Sequence, residues 1–351
     1  MQTQLHKTSG TPFICLGVKS IVDPGLTIPT SSFTEMRSEA FAEILEKRKA
    51  MRMRAEGDYA PLWLTSDEEE IIPEIFTELT PAEVVPKNTN PPVFTLSITA
   101  MNQLSEELEE LSPKIIYVPV TELDYESNKI QRFLKNNDIT VAVSLPRIIH
   151  DNEKKKVASM LNKAKKLGIE EALVSNIGHI QFAKKHGMTV RGDFGFNVYN
   201  SETLYVMKKL GLKSATISFE KSLAEIRELS KPIDTELITY GRLPLMITEN
   251  CIVRNCTDAC TCDSFTGLVD EQGALYPVEP DFGCRNVLLN PKKLFMADKR
   301  RTVSSLGIWA ERLYFTTENA IECVTVLKRY MGLSDFTPQG YTRGMYYRTE
   351  E

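Results

Sequence analysis

From Val93 onward, short β-branched, apolar runs alternate with segments whose apolar residues recur every three or four positions. No other feature constrains the fold as much. A helix that crosses between two strands of one sheet leaves them parallel, so repeated alternation selects an α/β architecture. The runs Val93–Thr99, Ile115–Val120, Ile139–Leu145, Ala172–Ser175, Thr189–Asp193, Ser214–Ser218 and Glu236–Tyr240 read as strands. Between them, Val157, Met160, Leu161 and Ala164 illustrate the helical spacing. A long insert follows, then an eighth strand near Ile308–Phe315 and a helix over Glu318–Tyr330. Eight such units predict a (β/α)8 TIM-type barrel. A doubly wound open sheet is the alternative, but no glycine-rich phosphate turn follows the first strand.

The segment before Val93 is organised differently. Asp23-Pro24-Gly25 predicts a turn between two strands over Ile21–Pro29, and apolar spacing predicts a helix from Ser31 to Arg54. So small a piece buries little surface alone and is expected to complete a domain whose other half is missing. Residues 1–77 are therefore read as a partial α+β accessory segment. The proline-rich stretch 78–92 reads as a linker, and 93–351 as the barrel, with a cysteine-rich insert over 241–305.

Composition narrows the setting. At 42% hydrophobic and 25% charged, the chain has an ordinary globular balance. The N-terminus lacks the basic and apolar regions of a secretory signal, and no apolar run approaches the roughly 18 residues of a membrane span. Seven cysteines without such a signal suggest a reducing, cytoplasmic setting. The net charge of −5 provides no global nucleic-acid signature, and the lysine runs at 154–156, 163–166, 184–185 and 208–209 read as solvated helix faces.

Barrel enzymes build their sites at the C-terminal ends of the strands. That rule gathers Arg147, Asn176, Asp193, Asn197, Glu220 and Arg242 on one rim, and it places the insert there too. Within the insert lie Cys251, Cys256, Cys260 and Cys262, followed by Cys284. Thiols at this density suggest a soft-metal site, zinc or iron–sulfur. The spacing fits neither a zinc ribbon nor a bacterial ferredoxin, and a purely structural metal is the plainer alternative. No HExxH or GxSxG occurs. Of the histidines, His179 opens a helix on the rim, while His150 and His186 adjoin helix ends. Asp193, Glu220 and Glu249 leave an aspartate-type site open.

Several stretches carry a family resemblance: RGDFGFNVYNS (191–201), ATISFE (215–220), TYGRLPLMITENC (239–251), LVDEQGALYPV (268–278), NPKKLFMADK (290–299) and YTRGMYYR (341–348). They resemble the U32 "peptidase" family, named for collagenase-like proteolysis. KTSGTPF (7–13) and GLTIPTSSFTEMRSEAF (25–41) resemble the end of the accessory domain in its long members. The chain is thus similar to the C-terminal half of such a protein, the 23S rRNA cytidine hydroxylase type above all.

Better-understood members hold a [4Fe–4S] cluster on four cysteines and support oxygen-independent hydroxylation. Their substrates are RNA bases or the ubiquinone ring, and a prephenate-like anion is implicated for the RNA enzymes. The resemblance implies ligation by Cys251, Cys260, Cys262 and Cys284, with Cys256 as the alternative ligand and zinc as the alternative metal. Ile252 stands where the family usually has proline, Cys256 is an additional thiol, and Cys260 and Cys262 are spaced more tightly than usual. Arg191, Asp193, Asn197, Glu220 and Arg242 become the expected catalytic set, with Arg191, Arg242 and Arg285 available to grip an anionic co-substrate. RNA, or a protein if the family name holds, is the expected substrate. A non-catalytic metal-stabilised module is the remaining reading.

Overall fold

The computed structural model describes residues 2–5, 7–8, 15–19, 25, 29–52, 90–124, 127–257 and 265–348. Contacts divide the chain into two compact units, Met1–Glu74 and Ile75–Glu351.

In the first unit a short helix, Gln2–Leu5, accompanies a long one, Thr30–Arg52. The Arg37 guanidinium donates to the Gln4 carbonyl at 2.8 Å and ties the two together. The long helix buries Phe33 but leaves Met36 and Ile44 exposed. The strand–turn–strand expected over Ile21–Pro29 lies outside the described residues except for Gly25 and Pro29.

The second unit is a closed (β/α)8 barrel. Its strands are β1 Val93–Ser97, β2 Ile115–Pro119, β3 Thr140–Ser144, β4 Glu171–Val174, β5 Thr189–Gly192, β6 Ser214–Thr216, β7 Asp234–Gly241 and, after the insert, β13 Ala310–Tyr314. Each pairs in parallel with its neighbour, and the pairing of β13 with both β7 and β1 closes the cylinder. Outward positions such as Leu96, Ile116, Val118, Val141 and Val143 pack against Val157, Leu161, Ile180, Leu204 and Val326 of the surrounding helices. Cap residues set several helix starts. Ser105 and Asn200 accept the Leu108 and Thr203 amides, and Ser222 with Glu225 and Asn319 with Glu322 form reciprocal capping boxes.

Between β7 and β13 the long cysteine-rich insert builds a second sheet. Strands β8 Pro244–Thr248, β9 Thr266–Val269, β10 Leu275–Asp281 and β11 Arg285–Leu289 lie antiparallel in the order β8-β11-β10-β9. A short helix, Ile252–Thr257, follows β8. The chain then returns through β12 Leu294–Phe295, which pairs antiparallel with the end of β7. At that end, Gly241 has φ +122°, and a Cβ there would lie 1.9 Å from the Tyr314 carbonyl oxygen. Only glycine lets β7 pass so close to β13.

Candidate active site

The barrel interior is polar. Barrels of this kind usually fill with Val, Ile and Leu, but here inward positions carry charge. Arg312 donates through Nε to Glu236 Oε2 at 2.8 Å, through a terminal nitrogen to Thr216 Oγ1 at 2.8 Å, and to Asp193. Glu236 also accepts from the Tyr117 hydroxyl and, at 3.2 Å, from Thr95 Oγ1. Tyr117 lies 4.5 Å beneath the guanidinium. Burial, with the Glu236 charge added, raises the Tyr117 phenol well above its usual range. Buried charges persist only when paired and hydrogen-bonded, and this set meets both conditions.

A second ion pair sits nearer the N-terminal ends of the strands. Arg191 donates to Glu171 at 2.6 Å and to Ser214 Oγ at 2.9 Å. Glu171 also holds Lys213 at 2.6 Å. Glu171 and Ser214 each begin their strand, so Arg191, expected in the catalytic set, points toward the N-terminal ends of the strands and away from the rim. In barrels that end of the cylinder serves stability rather than chemistry.

The other expected rim residues divide by contact. Asp193 follows β5, caps the Phe194 amide at 2.8 Å and accepts from Ser175 Oγ at 2.9 Å, so it joins the paired network to the rim. Asn197 (φ +49°) ends the turn Phe194–Phe196 and is exposed, as is Glu220. Arg242 does not face an open site. It donates to the Asn290 carbonyl at 3.0 Å, to the Pro291 carbonyl and to Thr317 Oγ1, clamping the exit of the insert. Arg285 is 1% exposed and bridges Glu249 at 2.8 Å and Glu153 at 3.0 Å, which pins the inserted sheet to the loop after β3. His150 contacts the same Glu249 at 3.1 Å. His179 is buried with Nδ1 unpartnered, and burial lowers its pKa.

Above the paired network lie groups that the sequence reading missed. Strand β10 carries Glu279 and Asp281 on one side, and both act on Tyr314 of the barrel. Burial, with the Glu318 charge added, pushes the Glu279 carboxyl up to about 7, and burial also raises Asp281. Glu318 itself is held by Lys293 at 2.7 Å and by the Tyr240 hydroxyl at 3.1 Å. Arg147 lies over the Phe194 ring at 5.5 Å, and Phe194 meets Tyr314 edge-on at 6.3 Å. The alternating carboxylates of 279–281 were the available signal, immediately after the quoted LVDEQGALYPV block.

The cysteine region adjoins this mouth. Cys251 is half-buried just before the helix Ile252–Thr257, and its sulfur accepts the Arg254 amide at 3.4 Å. Asn286 accepts the Ile252 amide at 2.5 Å, so the stretches bearing Cys251 and Cys284 are tied at one end of the inserted sheet. Cys284 is exposed with φ +61°. The Cys256 side chain, Cys260 and Cys262 lie outside the described residues. Among the described residues no trio of His, Cys, Asp or Glu forms a metal site. The two described thiols nevertheless suit a thiolate-bound metal. Cys251 is half-buried and Cys284 exposed, both are free of disulfides, and thiolates are soft metal ligands. Cys323, by contrast, is buried in the helix Ala320–Tyr330, where burial pushes its thiol pKa up.

The sequence model of Peptidase family U32 matches residues 122–308, more than half of the chain. The chain belongs to Peptidase family U32. The match runs from the loop after β2 to the approach to β13 and takes in the whole inserted sheet. An uncharacterized protease of Methanocaldococcus jannaschii is 26% identical over 129 residues, covering 35% of this chain and 31% of that protein. The chain thus spans about a third of the curated relative it matches. Among solved structures, a U32 peptidase covers 46% of this chain and 75% of its own at 14% identity, with a TM-score of 0.35. Thiamine phosphate pyrophosphorylase from Pyrococcus furiosus covers 70% of this chain and 96% of its own at 11% identity, with a TM-score of 0.39.

Proposed function

We propose that this U32 member is an iron–sulfur-dependent, oxygen-independent hydroxylase-type enzyme of the cytoplasm that modifies a base of structured RNA, with 23S rRNA as the expected substrate. The observation that supports it is the placement of Cys251 and Cys284 at one end of a sheet that Arg285 pins beside the barrel mouth. Cys251, Cys260, Cys262 and Cys284 would hold a [4Fe–4S] cluster, with Cys256 as the alternative ligand. Bound there, the cluster would supply one-electron chemistry beside the mouth. The chain's own residues would do the rest. Arg312, Glu236 and Asp193 form a paired floor, and Glu279 and Tyr314, close enough for the carboxyl charge to raise the phenol, would bound the substrate above it. A small anionic co-substrate belongs to this reading.

Among the described residues no histidine hydrogen-bonds a serine or cysteine side chain, so the nucleophile–base pair of a Ser- or Cys-type peptidase has no support there. One observation favours a peptidase of another type. Glu279 and Asp281 lie two residues apart on β10, and burial raises both carboxyls above their usual range, which leaves a carboxyl-based peptidase as the second reading.

Anaerobic purification with iron and sulfide analysis separates the readings. The hydroxylase reading expects a brown protein with about four irons per chain, whose colour is lost in Cys251→Ala and Cys284→Ala. Stoichiometric zinc would overturn it. So would a colourless, metal-free protein that cleaves gelatin and loses that cleavage on Glu279→Gln.

A further inference from the structure

Pairing changes abruptly along the barrel axis. Below the rim, Arg312, Glu236, Arg191 and Asp193 all have close partners. At the rim, partners run out. Ser97 is 5% exposed, yet its hydroxyl has no hydrogen-bond partner. It points into the lumen, because Thr95, two residues earlier on β1, reaches Glu236 there, and strand side chains alternate. Its register partner on β13 is Tyr314. The Tyr314 hydroxyl, the Glu279 carboxyl and the Arg147 guanidinium likewise make no hydrogen bond or ion pair with any described residue. Folded proteins seldom leave a buried hydroxyl unpaired, and the Arg147 guanidinium over the Phe194 ring, which itself meets Tyr314, the register partner of Ser97, strengthens the case for a ligand from outside.

We propose that the barrel mouth is a nucleotide-binding pocket in which Arg147 takes the phosphodiester, Glu279 reads the base edge and the Ser97 hydroxyl makes a third contact. This rests on the RNA reading above and says which residues hold the nucleotide. Arg147 is braced on Phe194 with its fork unspent, as phosphate recognition requires. The arginines that the sequence offered for an anion are all engaged: Arg191 by Glu171, Arg242 by carbonyls, and Arg285 by Glu153 and Glu249. The Tyr314 ring provides an aromatic surface for a base extruded from its stack, with the buried Phe194 ring supporting it edge-on. A neutral carboxyl offers one donor and one acceptor side by side, and the N3/N4 edge of cytosine presents the complementary pair.

The pH dependence has a definite sign. The groups facing Glu279 are Glu318, Tyr314 and, beyond the phenol, Asp193 and Asp281, with Arg147 acting on Asp281. With its carboxyl pushed up to about 7, Glu279 is neutral at pH 6 and ionised at pH 8. Ionisation removes the donor and adds a negative charge in the mouth, so an anionic ligand binds more weakly as pH rises.

The test is a calorimetric titration of the purified chain with the dinucleotide CpC, whose phosphodiester keeps one negative charge throughout this range. From about pH 6 to about pH 8, Kd is expected to rise about tenfold. Glutamine keeps one donor and one acceptor at every pH, so Glu279→Gln should bind as the wild type does at pH 6 and lose the pH dependence. Arg147→Ala should weaken binding about tenfold or more at every pH, and Ser97→Ala by severalfold. Thermal melts of each variant report its folding. Absence of CpC binding, a pH dependence that survives Glu279→Gln, or unchanged affinity in Arg147→Ala overturns the proposal. An iron-free chain that still binds CpC would sink the cluster reading alone, whereas an iron-loaded chain that ignores CpC would sink the pocket alone.

Discussion

Arg312 on β13 and Glu236 on β7 lie side by side inside the barrel, joined at 2.8 Å and exposed by no more than 1%. Such a pair is costly to desolvate and more costly to break, because the surviving partner keeps its charge without compensation. Arg312→Met alone is expected to cost about 3–5 kcal/mol. Adding Glu236→Gln should return part of that loss. A double-mutant cycle from urea unfolding midpoints checks this, and simple additivity would contradict it.

Arg285 joins the inserted sheet to the barrel through Glu153 and Glu249. Arg285→Ala should therefore speed amide exchange in β8 and β11 by about an order of magnitude while β1–β4 stay protected. Uniform loss of protection across the barrel would show that the insert is not a separate cooperative unit.

Gly241 passes β13 at a distance no side chain allows, in a backbone conformation L-residues rarely adopt. Gly241→Ala should cost more than about 3 kcal/mol, visible as lost soluble yield or a lowered unfolding midpoint. A near-neutral result would mean that β7 and β13 can part without penalty.

Glu311 points outward from β13 and is fully buried, with neither carboxylate oxygen hydrogen-bonded; the Thr239 hydroxyl lies near but outside bonding geometry. Burial raises its carboxyl from 4.5 to about 7, with the Arg300 charge opposing. A folded-state pKa above the unfolded one means that the native chain holds the proton more tightly. Its contribution is therefore full below pH 4.5, falls as pH rises through about 7, and is then level. The span amounts to about 3 kcal/mol. Glu311→Gln should flatten this slope and stabilise the protein at pH 8, as urea melts across pH would show.

The barrel was legible from residue patterns because each strand and helix carries its own period. β1, β2 and β3 begin and end within a residue or two of the expected limits. The inserted sheet was less legible. Its β9–β10 hairpin has a local turn, in which Asp270 Oδ1 accepts the Gln272 and Ala274 amides at 2.9 Å, but β8 and β11 pair across about 40 residues of chain, and no local period records that.

The site divides along the same line. Membership in the family, the barrel and the crowding of thiols near Cys251 all follow from residue order, because motif and periodicity are local properties. Which arginine stays free does not. Arg191, Arg242 and Arg285 look as available as Arg147 in the sequence, and only packing shows that each of the three is already engaged. The same holds for Glu279, which looks like any strand glutamate until β10 folds over the mouth and burial moves its carboxyl to about 7. Charge pairing and desolvation depend on neighbours distant in the chain, and those neighbours are chosen by the tertiary structure.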